Sequence, residues 1–254
     1  MSGELVSVAE AAAMLGVHPS RVHEHIRDGS LPAKKVGHQW AVERDDLRRI
    51  MYHTGPGRPF SSKSAWDLLA VAASGQAASE LSPSARSRAR SRLRNLLIHA
   101  SSAQLDDAAA QLAHALRNRA VRALFVASPR DLPDVRDDER VHLSGVSLPE
   151  SNVSVGAVAE GYVSSDDLDA LIGDYLLSPA PRSRANVILH VVTSETENPA
   201  IAALDDIARS PLALAADLAE HDGVREKNEA IRSVTDLHAR LVARDARTAG
   251  AERG

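Results

Sequence analysis

The chain has no cysteine in its 254 residues, and aromatic residues make up only 3% of it. The first absence excludes disulfide bonds, thiolate metal ligands and cysteine nucleophiles. The second means that a hydrophobic core must be built from alanine, leucine and valine. No basic start is followed by an apolar run, and no apolar stretch approaches the roughly 18 residues that span a membrane. The sequence therefore predicts a cytoplasmic protein without a membrane partner.

Motifs of common catalytic and cofactor sites are missing as well. There is no Gly-rich phosphate loop, no H-E-x-x-H and no G-x-S-x-G. The carboxylates that stand together are neighbours in the chain: Asp106–Asp107, Asp137–Glu139, Asp166–Asp167 and Asp205–Asp206. Adjacent residues on a helix diverge by about 100°, so such pairs seldom point at one ion. We expect no enzymatic activity, no metal site and no cofactor.

The net charge of −4 is divided unevenly along the chain. Residues 1–58 carry a net charge of +1, residues 59–100 carry +4, and residues 101–254 carry −9. Nucleic-acid phosphates attract basic surfaces and repel acidic ones. The charge pattern therefore predicts that the front of the chain contacts nucleic acid and that the back faces a different partner.

Ser7 and Glu10 form the S-x-x-E capping box of a first short helix. The box predicts that this helix begins at Val8 or Ala9 and ends at Gly16. Its small apolar face is predicted to comprise Ala9, Ala12, Ala13 and Leu15.

A second helix and a hairpin follow. Pro19 stands at the first helical position, where no backbone N–H is needed, and Gly29 ends the helix. Val22 and Ile26 are about one turn apart and are predicted to face inward. Strands are predicted at Leu31–Val36 and Gln39–Val42, and a third helix at Asp45 or Asp46. Two short helices and a basic hairpin fit DNA, with the second helix in the major groove and the hairpin along the backbone.

Three motifs of this segment are shared with a known family: S-V-x-E-A-A-x-x-L-G-V at Ser7–Val17, D-G-S-L-P-A at Asp28–Ala33 and V-G-x-x-W at Val36–Trp40. With them the segment resembles the excisionase-type (MerR-like) helix-turn-helix family. The resemblance implies a recognition helix at Pro19–Asp28 and a wing at Lys34–Trp40. It implies that five helix residues are exposed toward DNA: Ser20, Arg21, His23, Glu24 and Arg27. Four wing residues would touch phosphates or the adjacent groove: Lys34, Lys35, His38 and Gln39.

An ordinary solvated surface is the alternative for part of the second helix. Glu24 and Arg27 are compatible with such a surface, whereas Arg21 is predicted to contact a base. His25 stands where the family has a larger apolar side chain, and it is predicted to be half-buried. A single small domain makes few phosphate contacts, so two copies are expected on neighbouring half-sites, as a homodimer or meeting only on the DNA.

Glycine and proline are dense from Gly55 to Pro59, which breaks any helix and predicts a domain boundary. Gly57-Arg58-Pro59 also resembles the core of an AT-hook, an extended segment that lies in the narrow minor groove. The negative potential of that groove attracts arginine, so Arg58 is a further candidate DNA-binding residue. A plain linker is the alternative.

The whole chain is predicted to be α+β. We divide it into a winged helix-turn-helix at residues 1–53, a linker at 54–63, a helical connector at 64–118 and a C-terminal mixed α/β domain at 119–248. Helices are predicted at Ser64–Ala73, Ser82–His99, Gln104–Arg117, Ala200–Arg209, Pro211–Glu220 and Val224–Arg244. Valine-rich strands are predicted at Ala120–Ala127, Gly156–Val163 and Asn186–Val192. A further helix from Ser165 to Leu177 is predicted to bury Leu168, Leu171, Ile172 and Leu176.

The helix at Ser82–His99 carries arginine at every second position from Arg86 to Arg94. A spacing of two wraps around a helix and makes no single phosphate-binding ridge. A subset, Arg86, Arg90 and Arg94, supports contact with DNA or an acidic partner in one interpretation. A solvated helix is the alternative.

The acidic back half contains a second set of motifs: L-S-G-V-S at Leu143–Ser147, V-A-E-G-Y-V at Val158–Val163, S-D-D-L-D-A-L-I at Ser165–Ile172, A-N-V-I-L-H-V-V at Ala185–Val192 and L-A-A-D-L-A at Leu214–Ala219. With them it looks like actinobacterial regulators of the AbiEi-like type, the antitoxins of type IV toxin–antitoxin systems. The resemblance implies a DNA-binding domain that represses its own operon and a C-terminal domain that counteracts a nucleotidyltransferase-like toxin. The front of this chain departs from that family, because it is excisionase-like.

The predicted function is a sequence-specific transcriptional repressor that is associated with the nucleoid. Its partners are double-stranded DNA, at a repeated operator in its own promoter, and a nucleotidyltransferase-like toxin. The alternatives are a stand-alone transcription factor and an excisionase-like protein that bends DNA without a toxin partner.

Overall fold

The computed structural model describes residues 5–15, 17–27, 31–37, 39–44, 47, 58–73, 76–153, 156–193 and 203–251. The chain forms two compact units, Met1–Gly57 and Arg58–Gly254. The division falls inside the predicted linker at 54–63, of which residues 54–57 lie outside the described part. The predicted helical connector and C-terminal domain belong to one unit, because their side chains fill a shared hydrophobic cluster.

The first unit contains β1 (Leu5–Ser7), α1 (Val8–Leu15), α2 (Pro19–Arg27), β2 (Ala33–Val36) and β3 (Gln39–Glu43). The two helices and the hairpin strands lie where the sequence predicts them, whereas β1 was not predicted. The strands form an antiparallel sheet in the order β1-β3-β2. The third helix predicted at Asp45 or Asp46 begins at residues outside the described part.

The capping box at the start of α1 is confirmed. The Ser7 backbone N–H donates to the Glu10 carboxylate at 2.8 Å, and the Glu10 backbone N–H donates to Ser7 Oγ at 3.2 Å. The hydrogen bonds from the Ser7 backbone and side chain lower the pKa of Glu10. Two otherwise unpaired backbone donors are thus satisfied where the chain turns from β1 into α1.

The apolar face predicted for α1 is partly wrong. Ala9 and Ala13 are exposed, while Ala11 and Ala12 are buried. The buried pair stands three and four positions after Val8, which packs against the same cluster, and this is the spacing of one helix face. The remaining buried members of this small core are Val6, Val22, Leu31, Val42 and Leu47.

The second unit contains nine helices among the described residues: α3 (Ser62–Ala73), α4 (Gln76–Ser79), α5 (Pro83–Ser102), α6 (Leu105–Leu116), α7 (Leu132–Asp137), α8 (Ser165–Asp174), α9 (Leu204–Ala208), α10 (Pro211–Ala219) and α11 (Val224–Ala251). Its strands there are β4 (Val121–Val126), β5 (His142–Leu143), β6 (Ala159–Ser164), β7 (Ser178–Pro179) and β8 (Val187–Val192). The three predicted valine-rich strands correspond to β4, β6 and β8. The chain is therefore mixed α+β, as predicted.

The five strands form one sheet in the order β5-β6-β8-β4-β7. Strands β6 and β8 are parallel, and the other pairs are antiparallel. Every residue of β8 is buried, because helices cover both faces of the sheet. One face packs on a cluster that includes α3, α5, α6, α10 and α11, and the other packs on α7 and α8.

Helix α8 ends at Asp174, earlier than predicted. Leu171 is buried, and Leu168 and Ile172 pack against the same cluster, as predicted. Leu176 is 82% exposed, so its predicted burial is wrong. Its backbone has φ of 51°, outside the right-handed helical region, and the helical periodicity therefore stops before it. None of the helices in the described ranges is long and apolar enough to cross a membrane.

Candidate nucleic-acid interface

Helix α2 has one anchored face and one face open to solvent. Val22 is fully buried, and Ile26 packs against the same cluster. His25 is half-buried, in agreement with its predicted packing position. Five residues project from the opposite side and are exposed: Ser20, Arg21, His23, Glu24 and Arg27. A short helix held in this way presents a rigid polar face to a partner.

Two local contacts order this exposed face. Arg21 Nη1 donates to Glu24 Oε2 at 2.9 Å, with the side chains 66% and 52% exposed. Such an exposed pair adds little stability, but it limits the positions of the guanidinium. At the start of the helix, Ser20 Oγ lies 2.9 Å from His18 Nδ1, and the Arg21 backbone N–H donates to the carbonyl oxygen of His18. These contacts place Ser20 and Arg21 side by side on the exposed face at the start of α2.

The hairpin of β2 and β3 carries the predicted wing residues. Val36 pairs with Gln39 across the turn, where Gly37 has φ of +63°, a conformation that glycine adopts without strain. Lys34, Lys35 and Gln39 are exposed. His38, the fourth predicted wing residue, lies outside the described part of the chain.

The two wing lysines belong to opposite faces of the hairpin. Lys34 pairs with Ala41 across the strands and Lys35 with Trp40, and consecutive strand residues alternate between faces. Lys34 Nζ also donates to Glu43 Oε1 at 2.6 Å, and this contact lowers the pKa of Glu43. Lys34 and Lys35 therefore present their charges on opposite faces of the hairpin, and their contact with DNA stays a prediction.

Arg58 belongs to the second unit. Arg58 is exposed, but the nearby residue Phe60 is hydrogen-bonded to α6 and to the residues that follow α6. The Phe60 backbone N–H donates to Ala115 O at 3.0 Å, and Asn118 Nδ2 donates to Phe60 O at 2.7 Å. The AT-hook interpretation includes Gly57, which lies outside the described part, so it stays a prediction.

The arginine side chains of α5 differ in their contacts and do not form one common binding surface. Arg86 Nη2 donates to the carbonyl oxygens of Ser79 and Leu81, both at 3.1 Å. Arg92 Nη1 donates to Ser64 Oγ at 3.0 Å and so links α5 to α3. At least these two side chains hold neighbouring elements of the second unit together, which leaves a smaller part of α5 for contact with a partner.

Residues 5–51 match the family model of a helix-turn-helix domain. The front of the chain is therefore similar to helix-turn-helix domains of the excisionase-like, DNA-binding type. No curated protein and no solved structure is similar enough to this chain to extend the comparison beyond those residues. The match covers α1, α2 and the hairpin, and it agrees with α2 as the exposed, anchored helix of the domain.

The second unit contains a buried polar cluster that was not predicted from the sequence. Arg119 is 2% exposed and Asp217 is fully buried. Arg119 donates to Asp217 Oδ1 through Nη2 at 2.7 Å and to Glu220 Oε1 through Nη1 at 2.6 Å. Tyr162 OH donates to the same Asp217 oxygen at 2.9 Å, and Ser144 Oγ donates to the other. Asp217 thus connects α10 to three other parts of the chain.

The charges of these groups are mutually stabilised. Burial alone lowers the pKa of Arg119, but the neighbouring Tyr162, Asp217 and Glu220 raise it well above its ordinary value. Burial raises the pKa of Glu220, but Arg119, His190 and Arg122 together outweigh burial and lower the pKa. Arg119 therefore stays a cation inside the unit, with a carboxylate on each side.

A second buried carboxylate adjoins the first. Glu160 accepts hydrogen bonds from His190 Nε2 at 3.1 Å, from His221 Nε2 at 2.9 Å and from the Val146 backbone N–H at 2.9 Å. Burial raises the pKa of Glu160, but the two histidines outweigh it and hold the pKa well below its ordinary value. Gly145 has φ of +54°, and a Cβ there would lie 2.0 Å from Glu160 Oε2, so only glycine fits.

The sequence did contain a signal for this cluster. Glu160 and Tyr162 interrupt the apolar pattern of β6, His190 interrupts the valine-rich β8, and Asp217 is the only charged residue of α10. A lone polar residue in an apolar run is buried with a partner or is functional. Within the described ranges, no three or more His, Asp and Glu side chains are arranged to hold a metal ion.

Proposed function

We propose that this chain is a sequence-specific transcriptional repressor that reads an operator through α2. The observation that carries the proposal is the exposed face of α2 on a DNA-binding helix-turn-helix domain. An anchored helix of this kind enters the major groove, where its exposed side chains reach base edges. Ser20, Arg21 and His23 lie nearest the start of the helix. Because the ligand is chromosomal DNA, the proposed site of action is the cytoplasm, at the nucleoid.

The test is a footprint of the full-length protein on its own upstream region at low ionic strength. We expect protection of a repeated site, with binding to an unrelated duplex of equal length and GC content weaker by at least about 10³-fold. Equal affinity for both duplexes would contradict sequence-specific recognition. The stoichiometry of protein on a single repeat and on two repeats then distinguishes a preformed homodimer from two copies that meet only on the DNA.

We further propose that the hairpin of β2 and β3 acts as a wing along the DNA backbone. Lys35 is its main phosphate contact, because the charge of Lys34 is already opposed by Glu43 at 2.6 Å. Lys35→Ala is expected to weaken binding to all duplexes alike and to reduce the salt slope by about 0.9, whereas Lys34→Ala has a smaller effect. The measurement is a titration of affinity against salt concentration.

The matched control for the wing is Lys63→Ala in the second unit. Lys63 is exposed and paired with Asp67 at 3.3 Å, so its removal changes the net charge by the same amount outside the proposed interface. Equal slopes for the wild type and Lys35→Ala would remove the hairpin from the interface.

For the acidic second unit we propose an antitoxin role against a nucleotidyltransferase-like toxin, as the resemblance to AbiEi-like regulators implies. The charge of residues 101–254 supports a partner other than DNA for this region. The proposal includes no catalytic activity. Its test is co-expression with the product of the neighbouring gene: growth arrest by that product alone and rescue by this chain support it.

If the neighbouring product has no effect on growth, the chain is a stand-alone transcription factor. A strong bend in the bound duplex without repression of the promoter would instead support an excisionase-like architectural role. A gel assay with the site placed at different positions along a fragment measures the bend directly, so these two alternatives are separable from the repressor proposal.

A further inference from the structure

The second unit has a cleft of about 470 Å³ that is lined by residues of the central strands β4 and β8. Its apolar wall is formed by Leu124, Val158 and Ile188. Its polar side is formed by Arg122, Arg182 and His221, together with the turn that precedes α11. Clefts of this size that combine an apolar wall with a few convergent polar groups are typical of small-molecule sites.

Three basic side chains reach this cleft from separate elements. Arg122 lies on β4, Arg182 lies between β7 and β8, and His221 lies between α10 and α11. Arg122 Nε is buried and has no hydrogen-bond acceptor among the described residues, although Glu220 Oε2 lies 3.4 Å away. A buried donor without an acceptor costs stability, and an acceptor bound in the cleft would remove that cost.

Arg182 is held loosely enough to turn toward a ligand. Its Nε lies 3.1 Å from Asp222 Oδ2, but the Asp222 side chain is 88% exposed, so the pair is open to solvent and screened by salt. Arg182 also donates to the backbone carbonyl of Glu220. That bond holds the side chain beside the cleft, while its remaining donors are available to an incoming anion.

Glu226, which also lines the cleft, already occupies the start of α11. Its carboxylate lies over Gly223 at the start of α11, where a Cβ on Gly223 would be 1.8 Å from Glu226 Oε2. The positive end of the helix dipole favours an anion at this place. Burial lowers the pKa of His221, but the hydrogen bond to Glu160 and the charges of Glu160 and Glu226 together outweigh burial and raise the pKa, which favours a cation here. Asp222 and Glu226 partly offset the three basic groups.

We propose that this cleft binds the phosphate group of a small phosphorylated molecule. Arg122 and Arg182 provide two guanidinium groups on separate elements, which suits the several acceptor oxygens of a phosphate. The apolar wall of Leu124, Val158 and Ile188 contacts the organic part of the ligand. This site is separate from the proposed DNA-binding face and does not depend on it.

The experiment is calorimetric titration of the full-length protein in phosphate-free buffer at fixed ionic strength. The two probes are inorganic phosphate and phenyl phosphate. We expect saturable binding with one site per chain, weakened at least about tenfold in Arg122→Gln and in Arg182→Gln. Glu226→Gln is expected to bind severalfold more tightly. Tighter binding of phenyl phosphate indicates an organic phosphate as the occupant, and equal binding indicates free phosphate.

Arg184→Gln is the matched control, because Arg184 is exposed on the same loop and does not line the cleft. It is expected to bind both probes as the wild type does. Arg182 is 45% exposed, so its substitution tests the cleft even if Arg122→Gln disturbs folding, which thermal denaturation detects. Absence of saturable binding, or unchanged binding in Arg182→Gln, would overturn the proposal.

Discussion

Replacing Arg119 by methionine is expected to lower the free energy of unfolding of the second unit by about 3–5 kcal/mol. The guanidinium is the shared partner of Asp217, which is fully buried, and of Glu220. Its removal leaves the Asp217 carboxylate in the interior without its guanidinium partner; the basic group that remains beside it is His190, 3.5 Å from Asp217 Oδ1 and already hydrogen-bonded to Glu160. The remaining hydrogen bonds from Tyr162 and Ser144 cannot neutralise that charge. Of the substitutions that the structure identifies, this one has the largest expected effect on stability.

The measurement is urea denaturation of the full chain, followed by the fluorescence of Trp66 in a Trp40→Phe background. Trp66 is fully buried in the second unit and packs edge-on against Tyr162, with ring centroids 6.4 Å apart. Its emission therefore reports on the packing around the cluster. The other tryptophan, Trp40, belongs to the first unit and would add a separate transition.

Arg117→Met is the matched control, because Arg117 lies with Arg119 in the single helical turn Arg117–Arg119 that follows α6 and is exposed. It is expected to change the stability by less than about 0.5 kcal/mol. Arg119→Met with Asp217→Leu is expected to recover part of the loss, because the unpaired carboxylate is then gone. An unfolding midpoint for Arg119→Met equal to that of the wild type would show that the buried pair contributes no net stability.

Local patterns in the sequence predicted the elements whose causes are local. The capping box fixed the start of α1, and Pro19 fixed the start of α2. Valine-rich runs located the three central strands. The apolar face of α1 was misassigned because this helix has four alanines of equal hydrophobicity, so composition alone does not single out Ala11 and Ala12 as the pair on the face of Val8.

The orientation of α2 could also be predicted from the sequence. On a short amphipathic helix, the spacing of the apolar residues shows which side is buried and which side is exposed. Val22 is buried, as the spacing predicts, and the five residues that the family resemblance implies to be exposed are exposed. The buried polar cluster could not be predicted from the sequence. Arg119 and Asp217 are 98 residues apart in sequence, and their contact depends on how α10 packs beside β6 and β8. The lone polar residues indicated that partners exist, but only the fold identifies them.

Arg21→Ala is expected to reduce discrimination at one base pair of each operator half-site by about 1–3 kcal/mol. In the free protein, Arg21 Nη1 donates to Glu24 at 2.9 Å, which limits the movement of the guanidinium on the exposed face of α2. A guanidinium presented in this way suits the two acceptors, N7 and O6, of guanine in the major groove. The prediction depends on the proposed role of α2 in DNA recognition.

The measurement compares the affinities of the wild type and Arg21→Ala for operators in which each base pair is replaced in turn. A base contact appears as a preference that the wild type shows at one position and the variant lacks. Arg88→Ala, an exposed arginine of α5 in the second unit, removes the same charge outside the interface and is expected to retain every preference. If Arg21→Ala instead weakens all duplexes equally and keeps the full pattern of preferences, Arg21 contacts phosphate, and base recognition must come from Ser20, His23, Glu24 or Arg27.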